Sequence, residues 1–202
     1  MEKIYRLEDY VFEIHNFLDN ARCDELIAHA EGIGFEDALI TSHYGSVRKE
    51  DVRNNDRVIS DDPVLAEELW QGLKPHMPAT FRGRDLVGIN ERVRFYRYDP
   101  GQKFDWHQDG YYERDNGERS RFTFMVYLND DFEGGNTSFC DVFSGRSFPD
   151  FEVEAKKGSA LVFFHPVTHR GDEVVSGRKY VIRTDVMYSP LKDSGEFGPD
   201  ER

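Results

Sequence analysis

Residues 94–109 read RFYRYDPGQKFDWHQD and end in a His-x-Asp pair, His107 and Asp109. Two side chains two residues apart on an extended segment point to the same face. One further imidazole from a facing strand would complete two neutral nitrogens and one carboxylate. That donor set suits a non-haem Fe(II) with open coordination positions. Residues 163–171 (FFHPVTHRG) supply the imidazoles, His169 and, four residues earlier, His165. An isolated His-x-Asp is common on solvated surfaces. Here it follows an aromatic run (Phe95, Tyr96, Tyr98) and a Pro100-Gly101 turn, and it precedes a polar loop and a strong strand pattern over residues 121–129.

Outward from this stretch, the strand period dominates the C-terminal side. Residues 91–98 alternate, with Arg92, Arg94, Tyr96 and Tyr98 on one face and Val93, Phe95 and Arg97 on the other. Residues 121–129 place Thr123, Met125 and Tyr127 on one face and Phe124, Val126 and Leu128 on the other. Residues 137–142, 151–156, 159–165 and 179–188 read as further strands. Trp106 alternates away from His107 and reads as core. Residues 110–120 (GYYERDNGERS) follow the His-x-Asp pair directly and are a candidate lid, or else an ordinary hairpin connection.

The N-terminal side is different. Residues 10–17 read as a strand. A helix then starts after Asp19 or Asn20 and stops at Gly32 and Gly34. Residues 60–74 form the clearest helix, with Asp62 as cap, Pro63 in the first turn and Leu65, Leu69, Trp70 and Leu73 as one apolar stripe. Residues 35–57 are polar, with Arg48, Arg53 and Arg57 among Asp and Asn, and read as a solvated loop, an edge hairpin or the rim of a cleft. Helices first and about eight short strands after them predict a mainly β, α+β protein, a helical layer in front of an antiparallel sandwich or barrel.

Composition narrows the function classes. The chain has 202 residues, 38% apolar and 32% charged, enough for one domain over residues 1–202 with a polar, fraying tail at 189–202. No run of eighteen apolar residues occurs, so no membrane-spanning helix is expected. The first ten residues lack the pattern of a secretory signal, and two cysteines are too few for a disulfide framework, which together predict a cytoplasmic protein. A net charge of -13 repels a phosphate backbone, so no nucleic-acid partner is expected. No heptad pattern demands a coiled coil, leaving a monomer or a homodimer.

The segments RFYRYDPGQKFDWHQDG, YLNDDFEGGNTSF, GSALVFFHPVTHRGDEV and SGRKYVIRTDVMY together resemble the prolyl 4-hydroxylase group of Fe(II)/2-oxoglutarate dioxygenases, in particular its bacterial members. The resemblance runs over nearly the whole chain to Tyr188. It implies a double-stranded β-helix, or jelly roll, with the N-terminal helices packed on one sheet. It implies Fe(II), 2-oxoglutarate and O2 as cofactor and co-substrates, with ascorbate as an optional reductant. By position, His107, Asp109 and His169 match the iron ligands. The family places a basic residue about ten positions after its last ligand, which favours His169 over His165 and points to Lys179 rather than Arg178 as partner of the far carboxylate of 2-oxoglutarate. Tyr98 and Tyr127 match tyrosines that hydrogen-bond this carboxylate. Arg183 shares the parity of Lys179 and reads as a further contact to co-substrate or substrate, or as an ion-pair partner of Asp185. Arg94 is a candidate substrate contact.

By analogy the substrate is a prolyl residue in a peptide or protein, and the reaction hydroxylation of a C–H bond. A free amino acid or another small metabolite is the second enzymatic reading. A non-catalytic jelly-roll binding module is the reading from another class. A zinc hydrolase would also take two histidines and a carboxylate, but the chain has no H-E-x-x-H motif.

Overall fold

A computed structural model describes residues 1–38, 40–42, 45–47, 53–141 and 148–191. The residues of the expected tail beyond position 191, and Arg48 and Asp51 of the polar segment, lie outside the described residues.

Two strands open the chain, β1 (Glu2–Leu7) and β2 (Val11–His15). Helix α1 (Asn20–Ile33) starts where Asp19 accepts a hydrogen bond from the Arg22 backbone N–H and stops at Gly34, whose φ is +96°. Strand β3 (Asp56–Asp61) runs into α2 (Pro63–Leu73), capped by Asp62 on the N–H groups of Val64 and Leu65. Then follow β4 (Arg84–Ile89), β5 (Arg92–Tyr98), β6 (Phe104–His107), β7 (Arg119–Tyr127), β8 (Thr137–Cys140), β9 (Phe151–Val153), β10 (Ala160–Phe164), β11 (Thr168–Gly171) and β12 (Lys179–Tyr188). The large sheet runs β1-β2-β10-β7-β12-β5-β3, with β4 also paired to β12, and the small sheet runs β6-β11-β8-β9. All these pairs are antiparallel. Two antiparallel sheets face to face, with helices on the outer side of the larger, are the jelly roll expected from the sequence.

The alternation of β7 and β12 decides which way everything faces. Phe122, Phe124 and Val126 of β7 and Ile182 of β12 are fully buried on the helix side. Phe17 meets Phe124 edge-on at 5.3 Å between ring centroids. Leu26 of α1 and Leu65, Leu69 and Leu73 of α2 fill the same core. Thr123 and Met125, with Val181 and Arg183, face the small sheet.

One expectation is corrected here, one is narrowed and one strand is added. Trp106 does face away from His107, but it is 38% exposed and lies against the Arg170 guanidinium, 4.6 Å from its ring, because β6 is in the outer layer with solvent behind it. Of the readings of the polar segment, the edge hairpin and the cleft rim hold: Glu36 and Asp37 pair with Arg57 and Asp56, Arg53 and Arg57 border a cleft, and the strand runs on to Asp61, paired to β5 along its whole length. Its charged side chains masked the alternation: Asp56 answers Arg97 at 2.8 Å and Asp61 answers Arg92 at 2.8 Å. The opening strand β1, absent from the sequence reading, pairs with β2 at the sheet edge. Residues 110–118 are pinned by Arg114, which bonds Glu91 at 2.6 Å and Glu118 at 2.7 Å, and by the Tyr112–Ser120 backbone pair.

Phe124 has no exposed surface and touches both the helix layer and the sheet. Phe124→Ala is expected to cost about 3–5 kcal/mol of stability, read as a shift in urea midpoint with an unchanged slope.

Candidate metal centre and its cavity

The small sheet brings the His-x-Asp pair to its third partner. His107 and His169 are directly opposite each other in the β6–β11 register. One ligating atom from each of His107, Asp109 and His169 falls within 4.8 Å of the others. The Nε2 atoms stand 3.7 Å (His107) and 3.6 Å (His169) from the Asp109 carboxylate oxygens.

Both imidazoles are aimed by their other nitrogen. Nδ1 of His107 meets the Asp105 carbonyl at 2.7 Å, and Nδ1 of His169 meets the Val167 carbonyl at 3.0 Å. A carbonyl only accepts, so Nδ1 carries the proton and Nε2 offers its lone pair to the shared centre. Phe104 stacks on His107 at 3.6 Å, and Phe163 sits 4.3 Å from His169. Burial depresses both imidazoles, His107 to about 3, so both are neutral near pH 7, as ligands must be.

Asp109 is held from both sides. The Thr123 hydroxyl donates to its Oδ2 at 2.5 Å, and the Arg183 guanidinium pairs with its Oδ1 at 3.0 Å. Burial alone would raise this carboxyl. Arg183, followed by the histidines, outweighs burial and holds it below the usual carboxylate range. His165 is no ligand. It lies behind Thr123, Nδ1 at 3.2 Å from that hydroxyl and Nε2 at 3.0 Å from Ser120. Burial lowers His165 to about 4, so its neutral ring accepts a hydrogen bond from the Ser120 hydroxyl at Nε2 and donates from Nδ1 to the Thr123 oxygen.

The triad opens into a cavity between the sheets, lined on the far side by Lys179, Tyr98, Thr137 and Gly171. Lys179 is 2% exposed and donates to the Gly135 carbonyl at 2.5 Å. Gly135 has φ +66°, and a Cβ there would lie 3.2 Å from the Lys179 stem, so only glycine turns this carbonyl to the ammonium. Burial lowers Lys179 to about 8. Its Nζ stands 5.3 Å from the ring centres of both Tyr98 and Tyr127. Burial raises Tyr98 to about 12, so it is a phenol donor, not a phenolate. Tyr127 is equally buried, but its hydroxyl is engaged by Thr137 at 2.7 Å and it is not among the cavity-lining residues; Thr137 is. Arg178 points elsewhere, to Asp99 at 2.5 Å.

Outside the triad lies a wider cleft lined by Arg53, Arg57, Arg94, Tyr111, Tyr112 and Arg183. Arg94 and Arg183 share Asp185, at 3.4 and 3.5 Å. Thus Arg183 borders both spaces, and Arg94 borders only the outer one. The sequence reading did not single out Thr123, Thr137 or Tyr96. The parity of β5 and β7 placed Thr123 and Tyr96 on the correct face, but nothing marked them as polar contacts of the site. The ion pair from Arg183 to Asp109 joins positions 74 apart in the chain and left no local trace.

Residues 93–184 match the family model of the 2OG-Fe(II) oxygenase superfamily. The match covers the stretch that carries His107, Asp109, His169 and Lys179. Prolyl 4-hydroxylase 2 of Arabidopsis thaliana is 28% identical over 84% of the chain, which spans 64% of that relative's length. The viral collagen prolyl hydroxylase of Paramecium Bursaria Chlorella virus-1, solved with 2OG, superposes with a TM-score of 0.63 at 23% identity, covering 89% of this chain and 97% of that one. The prolyl hydroxylase of Trichoplax adhaerens, solved with a hypoxia inducible factor peptide fragment, gives 0.69 at 14% identity, over 89% and 84%.

The donor chemistry of His107, Asp109 and His169 fits the ferrous ion that the superfamily uses: two neutral nitrogens and one carboxylate, converging and pre-aimed. Cobalt(II) titration followed by absorption should show one site, lost in His169→Ala and kept in His165→Ala. Thr123→Val should weaken it about 10–100-fold, because Asp109 loses its orienting donor.

Proposed function

We propose that the chain is an Fe(II)/2-oxoglutarate-dependent dioxygenase that hydroxylates a prolyl residue of a peptide or protein. The observation that carries this reading is the pairing, in one cavity, of the His107–Asp109–His169 triad with a buried ammonium at the opposite end. His107, Asp109 and His169 would hold the iron. When bound, iron and 2-oxoglutarate supply the oxidising power: the keto acid is decarboxylated to succinate and CO2 as O2 is reduced, and one oxygen atom enters a C–H bond of the substrate.

The residues of this chain do the rest. Lys179 sits at the closed end, where a carboxylate would be out of water and must be paired. Its ammonium, with the Tyr98 hydroxyl beside it, supplies that pairing. Tyr127 contributes by fixing Thr137, which faces the same space. Phe104, Phe163 and Val181 line the walls with apolar surface and exclude water. The peptide assignment rests on the relatives named above and on the shape of the site. Over the triad lies a cleft bordered by Tyr111, Tyr112 and arginines, the side from which a peptide would approach. We place the protein in the cytoplasm, as a monomer or homodimer. The unpaired, buried Cys23 and Cys140 are in keeping with a reducing compartment.

Anaerobic addition of Fe(II) and then 2-oxoglutarate should produce the weak visible charge-transfer band of a chelated keto acid, and absence of the band in folded, iron-loaded protein overturns the reading. Lys179→Ala should raise the 2-oxoglutarate concentration needed by at least about tenfold, the loss of one charge-assisted contact. The affinity also has a pH signature. With Lys179 at about 8 in the free protein, binding is full below that pH and weakens as pH rises through it, since the neutral amine cannot pair a carboxylate. Lys179→Arg should abolish this alkaline limb, because guanidinium stays charged.

A further inference from the structure

The outer cleft carries charge of the wrong sign for the protein that contains it. The chain has a net charge of -13, yet the described residues lining this cleft include Arg53, Arg57, Arg94 and Arg183 against only Asp109 and Asp185. Both acids are engaged. Asp109 belongs to the triad, where a bound cation would neutralise it. Asp185, 3% exposed, is shared by Arg94 and Arg183. Arg57 also faces Glu36, at 4.0 Å, so the positive charge of the cleft rests on Arg53, Arg94 and Arg183, and its low-dielectric walls focus it.

Arg53 shows that the charge is built in rather than scattered. It is 8% exposed, and its guanidinium lies over the rings of Tyr96, at 4.7 Å, and Phe104, at 4.5 Å. Its Nε is held by Asn55 at 2.8 Å, while its buried Nη2 has no hydrogen-bond partner. Burying an arginine with a donor unused is costly unless a ligand completes it. Arg53, Arg94 and Arg183 also act together on the Tyr96 phenol. Burial would raise it, and the three guanidinium charges overcome that and lower it. Three cations thus converge on one side of the triad, at the mouth and not at the closed end that holds Lys179.

We propose that Arg53 and Arg94, with Arg183 beneath them, form a carboxylate-recognition site for the primary substrate, next to the reacting position. This rests on the prolyl reading above and sharpens it: the target proline is presented with a carboxylate close by. A planar guanidinium fork matches a carboxylate in two parallel hydrogen bonds, which fixes orientation as well as affinity. Two sources offer that chemistry, an acidic side chain flanking the proline in a peptide and the α-carboxylate of the free amino acid. Lys179 takes the carboxylate of the co-substrate at the other end of the cavity, so the two anions do not compete.

The test uses the whole iron-loaded protein and follows succinate formation stimulated by substrate. Blocked peptides differ only in whether the proline is flanked by Glu, Gln or Lys, and free L-proline is set against L-prolinamide. The carboxylate-bearing member of one pair is expected to be preferred by about tenfold or more in kcat/KM. The pair that responds identifies the source. The preference should shrink as salt is raised from low ionic strength and collapse in Arg53→Gln and Arg94→Gln, with the loss in KM rather than kcat. Equal use of Glu and Gln peptides together with equal use of proline and prolinamide, or preference for Lys, overturns the inference and leaves the prolyl reading standing. Failure of every proline compound, in protein that shows the keto-acid band, removes the prolyl reading and this inference with it.

Discussion

The Asp109 carboxylate is the constraint on which the site depends. It is nearly out of water, in contact with two imidazoles that burial keeps neutral, so its charge must be balanced from elsewhere. Arg183 from β12 does this on one oxygen and Thr123 from β7 steadies the other. Both come from the large sheet, whereas the histidines come from the small one. The ion pair therefore ties the two layers at the point where a metal would draw them together, and breaking it by removing Arg183 alone would leave a buried, uncompensated charge.

Around that point the polar groups form nested layers. Backbone carbonyls orient the imidazoles. His165, itself anchored on Ser120, steadies Thr123, which steadies Asp109. A histidine four residues from a ligand thus serves the same centre without touching it, since the end of β10 places it beside Thr123 and Ser120 of β7. This layering holds reacting groups on strands rather than on loops, where small displacements would be costly.

Much of this was legible from the chain alone because strand parity is unforgiving. His107 and Asp109 had to share a face, as did Thr123 with Met125 and Lys179 with Arg183, and the two helices announced themselves through Asp62-Pro63 and through Gly32 and Gly34. The less legible parts are those where charge replaced hydrophobic alternation. Strand β3 hid behind Asp56 and Asp61, which carry ion pairs to Arg97 and Arg92 of β5. Trp106 looked like core because it alternates away from His107, yet its strand belongs to an outer layer and the Arg170 guanidinium lies against its ring. Contacts such as Arg183 with Asp109 depend on which sheets face each other, and no local pattern encodes that.

The glycine carbonyl beneath Lys179 bears on how the site is refilled. A buried ammonium with no anion beside it would ordinarily strain the fold or shed its proton. Gly135 offers it a neutral acceptor whenever the carboxylate is gone. The carbonyl thus fixes the charge at the closed end of the cavity, whichever anion enters.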